Sequence, residues 1–269
     1  MGSGFDGQHV VVTGGSSGIG LATARSFGLE GAAVSLVARG SERLEAAALE
    51  MKSEGLDVGW VSADVSDFSS LAEAMDSVRT DRGPCDVLVT SAGIAHPGHF
   101  TEIEADVFRT EMEVNYFGTL NAIRLVAAEM IERRRGRIVG ISSAAGIVGI
   151  FGYTAYTPTK FAVRGLLESL RAEMIQHDVH VHCVFPADID TPQLTYENQI
   201  KPAETAAISG TIKPLAASAV ADAIIEGIQR NRFAIYSDFQ TRLVGPVSAL
   251  AGRSLRRNLD KRAAKANRT

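Results

Sequence analysis

The sequence predicts an α/β fold: one doubly wound parallel sheet of about seven strands flanked by helices. Three observations carry this reading. Short β-branched runs alternate with helical stretches at the spacing of βαβ units, which calls for a parallel sheet. The first such run feeds directly into a glycine-rich turn and then a helix. Neither a linker nor an internal repeat beyond that alternation divides residues 1–240, so they read as one domain.

Residues 9–12 form the first strand. Thr13-Gly-Gly-Ser-Ser-Gly-Ile-Gly20 follows, and residues 21–30 have helical periodicity. Strand, glycine-rich turn and helix in that order make a phosphate-binding site, because glycines admit a pyrophosphate and the helix end offers unpaired N–H groups. This is the Rossmann-like signature. Residues 33–38 form the second strand. Folds that prefer NAD place an acid at its end, about 20 residues past the glycines, to hold the ribose 2′-hydroxyl. Here the strand ends Val37-Ala38-Arg39, with no acid, and a guanidinium can pair with a 2′-phosphate. That favours NADP(H); the competing reading of Arg39 is a solvated side chain at a strand end.

A helix over 41–54 stops at Gly55. The third strand, 58–62, leads to Asp64-Val65. An acid there can reach an adenine amino group or cap the next helix, as Asp67 or Ser69 could; both readings stand. A third helix covers 71–82. The fourth strand, 85–90, runs into Ser91-Ala-Gly93, another backbone close to a cofactor. Residues 103–134 form a long helical stretch with Asn115 in its middle, where in isolation it reads as an exposed or interhelical polar group. Gly136 breaks that pattern. A buried strand then runs over 137–143 and ends at Ser143.

Tyr156 and Lys160 open the next helix, 155–176. Four residues apart, they share one helix face, which sets an ammonium beside a phenol. A free phenol has a pKa near ~10, and a neighbouring positive charge lowers it, so the pair suits general acid–base work. Pro158 fits in the first turn, where its missing N–H is not needed. The sixth strand, 179–184, ends in Phe185-Pro186-Ala187. Residues 188–215 lose periodicity, carry Pro192, Pro202 and Pro214, and read as a lid. Helix returns over 216–230 and strand over 232–236.

A hydrophobic fraction of 45% supports a sizeable core and excludes global disorder. Cys85 and Cys183 lie in apolar runs and read as buried thiols in a reducing compartment. No apolar run reaches the ~18 residues of a bilayer span, and the N-terminus lacks a signal-peptide pattern, so a cytoplasmic location is expected. Neither a metal site nor a nucleic-acid partner is expected. The net charge of −4 hides an asymmetry: residues 242–269 carry eight Lys/Arg against the single acid Asp260. In this tail, 241–269, Leu243, Val244, Val247, Leu250, Ala251, Leu255 and Leu259 recur at mostly helical spacing beside the basic residues. The tail can dock peripherally on an anionic membrane, or pack on its own domain or on a second subunit of a homo-oligomer.

Together these residues resemble the short-chain dehydrogenase/reductase family over about residues 7–240. The run from Thr13 to Gly20 resembles its cofactor loop, and Asn115, Ser143, Tyr156 and Lys160 match its catalytic tetrad in order and spacing. Tyr153 does not, since Thr157 stands four residues on. Two departures are Thr90-Ser-Ala-Gly93, where the family usually has Asn-Asn-Ala-Gly, and Pro186-Ala187, where it usually has Pro-Gly. Gln8 to Thr13, Leu36 to Arg39, Tyr156 to Gly165, Pro186 to Pro192 and Glu197 to Thr205 resemble the branch that reduces 3-keto long-chain bases with NADPH.

That resemblance implies a hydrophobic ketone substrate, with Tyr156 donating a proton to the developing alkoxide and Ser143 bonding the same oxygen. Lys160 would lower the phenol's pKa and hold the nicotinamide ribose, and Asn115 would anchor a water leading to Lys160. The implied NADPH/NADP+ site comprises Gly14, Ser16, Ser17, Gly18, Ile19, Gly20, Arg39, Asp64, Val65, Ala92, Gly93, Tyr156, Lys160, Pro186, Ile189 and Thr191. Residues 197–211 would close over the substrate. A reductase of steroids or other bulky ketones, and a non-catalytic NADP-binding sensor, are the competing functions.

Overall fold

The computed structural model describes residues 4–209, 213–239, 241–243 and 260–262. The chain alternates strand and helix from the start: β1 (His9–Thr13), α1 (Gly18–Leu29), β2 (Ala33–Ala38), α2 (Ser41–Ser53), β3 (Val58–Ser62), α3 (Phe68–Arg82) and β4 (Val87–Thr90). Then come α4 (Ala105–Met112), a π-helical turn (Glu113–Phe117), α5 (Gly118–Arg133), β5 (Gly136–Ile141), α6 (Tyr156–Met174) and β6 (Val179–Phe185). The C-terminal part adds β7 (Ile189–Asp190), α7 (Pro192–Ile200), α8 (Ala203–Ser209), β8 (Leu215–Ala216), α9 (Ala217–Gln229) and β9 (Ala234–Tyr236).

Seven strands form one sheet in the order β3-β2-β1-β4-β5-β6-β9, every described pair parallel. A sheet covered on both faces must be apolar on both, so its strands read as continuous hydrophobic runs. Alternate residues divide accordingly. Val11, Leu88, Ile138 and Val181 belong to one core with residues of α3, α5 and α6. Val10, Val12, Val89 and Val139 belong to the other, with residues of α1, α2 and α9. Cys85 and Cys183 are free, buried thiols.

Local chemistry sets the boundaries. Asp67 caps α3 by accepting from the N–H groups of Ser69 (2.9 Å) and Ser70 (3.2 Å). The capping alternative for Asp64 is thereby removed: its carboxylate accepts from Ser66 instead. The long helical stretch around Asn115 is interrupted by the π turn, a feature that commonly marks functional positions. Ser143 lies two residues beyond β5, not in it, and begins a short 3-10 turn.

Residues 188–215 depart most from expectation. Two helices and the paired strands β7 and β8 occupy much of what read as irregular. The prolines start helices here. Pro192 opens α7, where its fixed φ and missing N–H suit the first turn, and Thr191 Oγ1 caps that turn by accepting from Leu194 N–H at 3.3 Å. Pro202 immediately precedes α8 in the same way. Most of the basic tail, including Leu250, Leu255 and Leu259, lies outside the described residues. Among the described residues no helix is long and apolar enough to cross a membrane.

Gly140 of β5 shows how closely α6 packs on the sheet: a Cβ there would run into Leu167. Gly140→Ala should therefore overpack this layer and lower stability by roughly 1–3 kcal/mol. Urea unfolding should show a reduced midpoint with an unchanged slope; an unchanged midpoint would mean that the layer has room to spare.

Candidate active site

A cavity of about 480 Å³ opens at the carboxyl ends of the strands, lined from β1, β2, β3, β4, β5 and β6 and from the segment that follows β6. The strand order reverses between β1 and β4, and doubly wound sheets form their ligand crevice at such a point. The glycine turn makes the crevice possible. Gly14 has a positive φ of 70°, and a Cβ on it would lie 2.6 Å from the Ala92 backbone nitrogen. Only glycine lets these two loops meet. Gly18, also at positive φ, starts α1, and the Ser17 side chain makes no capping bond, so the first-turn N–H groups face the crevice unclaimed. This is a cradle of the shape and polarity a pyrophosphate needs.

At one end of the cavity stand Ser16, Arg39, Arg43 and Asp64. Arg39 is exposed and lies 3.8 Å from Asp64. Burial works against ionisation of Asp64, but hydrogen bonds from Ser66 and the charge of Arg39 outweigh it and hold the carboxyl below its ordinary pKa. Arg43, one turn into α2 beside Gly40, adds a second guanidinium that the sequence reading did not single out.

At the other end, Ser143, Tyr156 and Lys160 converge. Ser143 Oγ accepts from Ala145 N–H at 3.1 Å and stands close enough to Tyr156 to favour its ionised form. Lys160 is 5% exposed, donates from Nζ to the Ile141 carbonyl at 3.0 Å, and lies 5.5 Å from the Tyr156 ring centroid. Burial lowers its pKa to about 8. The expected acidification of the phenol is not what this arrangement produces. Burial of Tyr156, then the negative charge of Glu197, push its pKa above the ordinary value, with Ser143 opposing and Glu111 and Asp188 adding to the rise.

Asn115 is completely buried. Its Oδ1 accepts from Ile94 N–H at 2.8 Å, and Nδ2 donates to the Ile94 carbonyl at 2.9 Å and to Thr159 Oγ1 at 3.0 Å. It is thus an interhelical clamp joining the π turn, the loop after β4 and α6. Of the residues expected at the site, Gly20 and Asn115 stand behind the cavity wall; the others line it.

Three acids at this end have roles that the sequence reading did not assign. Glu197 is 7% exposed, accepts from the Tyr153 hydroxyl at 2.5 Å and from Gln193 Nε2 at 2.8 Å, and burial raises its pKa. Asp188 is raised for the same reason. Glu111, 1% exposed, accepts from His96 N–H through Oε1. Burial, assisted by Glu197, raises its pKa to about 7. The segment carrying Glu197 is also tied down by a Tyr196–His96 hydrogen bond of 2.7 Å and by Thr205 Oγ1, which donates to the Phe151 carbonyl at 3.0 Å.

Residues 8–201 match the short chain dehydrogenase family, and the chain belongs to that family of oxidoreductases. It is 44% identical over 212 residues to a 3-dehydrosphinganine reductase of Danio rerio, covering 77% of this chain and 64% of that one. It is 41% identical over 232 residues to a 3-ketodihydrosphingosine reductase of Bos taurus, covering 84% of this chain and 70% of that one. The chain thus spans about two thirds of the length of these relatives. Among solved structures, a short-chain dehydrogenase from Sphingobium yanoikuyae in complex with NADPH is 26% identical, with a TM-score of 0.78 and coverage of 94% of this chain and 95% of that one.

Glu111 gives the site a pH signature. From its ordinary 4.5 to about 7, the folded chain keeps a proton that the unfolded chain has released. Stability therefore falls as pH rises through this window, and the penalty, about 3 kcal/mol, is complete above it. Glu111→Gln keeps an acceptor for His96 and removes the ionisation. The variant should match wild type near pH 4.5 and exceed its stability by roughly 1–3 kcal/mol at pH 8 in urea melts. The same stability difference at both pH values would show that Glu111 does not ionise on this schedule.

Proposed function

We propose that the chain is an NADPH-dependent ketoreductase that converts 3-ketodihydrosphingosine to dihydrosphingosine, with Tyr156 as the general acid. The observation that carries this reading is the Ser143–Tyr156–Lys160 constellation at the floor of the cavity. Kinship with relatives named for that substrate supports the choice of ketone.

The residues fit the cofactor. The glycine turn and the start of α1 would hold the pyrophosphate, with Ile19, Val65, Ala92, Gly93, Pro186, Ile189 and Thr191 along its course. Arg39 and Arg43 would meet a 2′-phosphate. When bound, NADPH supplies a hydride to the ketone carbon. Tyr156 holds its proton until negative charge develops on the ketone oxygen, and its raised pKa suits a donor that must stay protonated beforehand. Ser143, which lines the cavity beside Tyr156, stabilises the same oxygen. Lys160, with a pKa near 8, can return a proton to the tyrosine and bond the nicotinamide ribose. Asn115 fixes the wall beside Lys160 and would anchor a water there. A sensor needs no such proton donor.

The deciding experiment is NADPH oxidation with 3-ketodihydrosphingosine, a steroid ketone and a short aliphatic ketone. Turnover confined to the long-chain ketone is expected. Tyr156→Phe should lower it roughly 10²–10⁴-fold while NADPH still binds, since only the proton donor is removed. Near-normal turnover in that variant would place the acid elsewhere.

Cofactor choice is tested separately. Wild type should prefer NADPH over NADH, and Ala38→Asp combined with Arg39→Ser should reverse the preference by setting a carboxylate where the 2′-phosphate would lie. Equal use of NADH by wild type would overturn the role given to Arg39.

A further inference from the structure

Acidic side chains gather at the floor of the cavity, and their effect on Tyr156 does not exhaust what they can do. Glu111, Asp188 and Glu197 all lie at this end, all act electrostatically on Tyr156, and burial raises the pKa of each. The cations acting on them are Lys160, near Glu111, and Lys201, near Asp188 and Glu197. Among the described residues, Glu111 Oε2 is buried without a hydrogen-bond partner, in a residue 1% exposed. A buried acceptor left unmade is costly.

Glu197 is the member of the set built to receive a ligand. It lines the cavity. Each of its oxygens has one donor from the protein, Tyr153 at 2.5 Å on Oε2 and Gln193 at 2.8 Å on Oε1. A carboxylate accepts about four hydrogen bonds, so both oxygens keep capacity toward the cavity. The Tyr153 ring that holds it stands 5.7 Å from the Tyr156 ring, centroid to centroid. A group bonded to Glu197 therefore sits beside whatever Tyr156 protonates.

From this juxtaposition we infer that Glu197 binds a protonated amine on the carbon next to the reacting ketone, and so selects amino ketones over neutral ones. The inference rests on the proposed substrate, which carries its amine at that position. The ammonium pairs with the Glu197 carboxylate, while the two anchors fix the carboxylate's direction and hence the side of the ketone on which the amine lies. A carbonyl withdraws electron density and weakens its neighbouring amine as a base, so a carboxylate contact also keeps that amine protonated.

The test compares kcat/KM for 3-ketodihydrosphingosine with that for the ketone of equal chain length in which hydrogen replaces the amine. Wild type should favour the amine roughly 10–100-fold, the range of a charge-assisted hydrogen bond. Glu197→Gln should erase most of that preference, bringing kcat/KM for the two ketones together through a higher KM for the amine; any effect of the lost charge on Tyr156 falls on both ketones alike and cancels in the ratio. Glu197→Asp should keep part of it. A wild type that reduces both ketones equally, or an E197Q chain that keeps the full preference, overturns the assignment while leaving the reaction standing. A wild type that reduces neither overturns the substrate and this assignment together. The wild-type ratio decides the matter even if E197Q fails to fold.

Discussion

A desolvated ammonium sits at the centre of this structure. Lys160 has left water almost entirely, and its Nζ donates to the carbonyl of Ile141, the last residue of β5. Taking such a charge out of water costs several kcal/mol unless the surroundings answer it. Much of the local architecture is explained by that demand. Helix α6 must begin at Tyr156 so that Lys160 lies one turn in, and Pro158 can occupy that first turn without losing a needed donor. Ser142 Oγ donates to the Lys160 carbonyl at 2.9 Å, which fixes the helix on the strand end. Gly93 leaves space on the far side: a Cβ there would stand 3.2 Å from Asn115 Oδ1 and 3.5 Å from Lys160 Nζ.

The clamp at Asn115 serves the same end. Its three side-chain bonds satisfy both polar groups of Ile94 and reach Thr159, the residue before the lysine. A buried amide is tolerated because it is fully engaged. The π turn is the backbone's accommodation, bringing Asn115 to full burial in a helix whose regular course continues on both sides.

How much of this was legible in the sequence follows from the range of the interactions involved. Local rules of period and turn chemistry located the strands, because a sheet buried on both faces writes itself as unbroken Val, Ile and Leu. They located the glycine turn, because a positive φ at Gly14 demands glycine. They also marked Tyr156 and Lys160, one helical turn apart. What escaped them depends on elements far apart in sequence. Glu197 matters through Tyr153, 44 residues earlier. Glu111 matters because its neighbours in space include Glu197 and Lys160. The π turn has no local signature. The prolines at 192 and 202 read as breakers because the same fixed φ serves a turn and a helix start equally well, and the Thr191 cap decides between them only once the chain is folded. The phenol's pKa reversed for a related reason: spacing reveals the lysine one turn away but not the carboxylates that folding brings to the opposite wall.

Those carboxylates give the cavity a polarity along its length. Arg39 and Arg43, with Asp64 beside them, stand at one end, and Glu197 and Asp188 at the other, with the start of α1 between. A dinucleotide carrying phosphates is drawn toward the first end and repelled from the second. A cationic long-chain ketone experiences the opposite bias. The two ligands proposed for this chain thus prefer opposite ends, and they must meet beside Tyr156. Lys160 lies there, buried against the strand end. Burial depresses its pKa while the nearby Glu111 carboxylate works the other way, so the lysine stands in a dry site as a group able to release a proton.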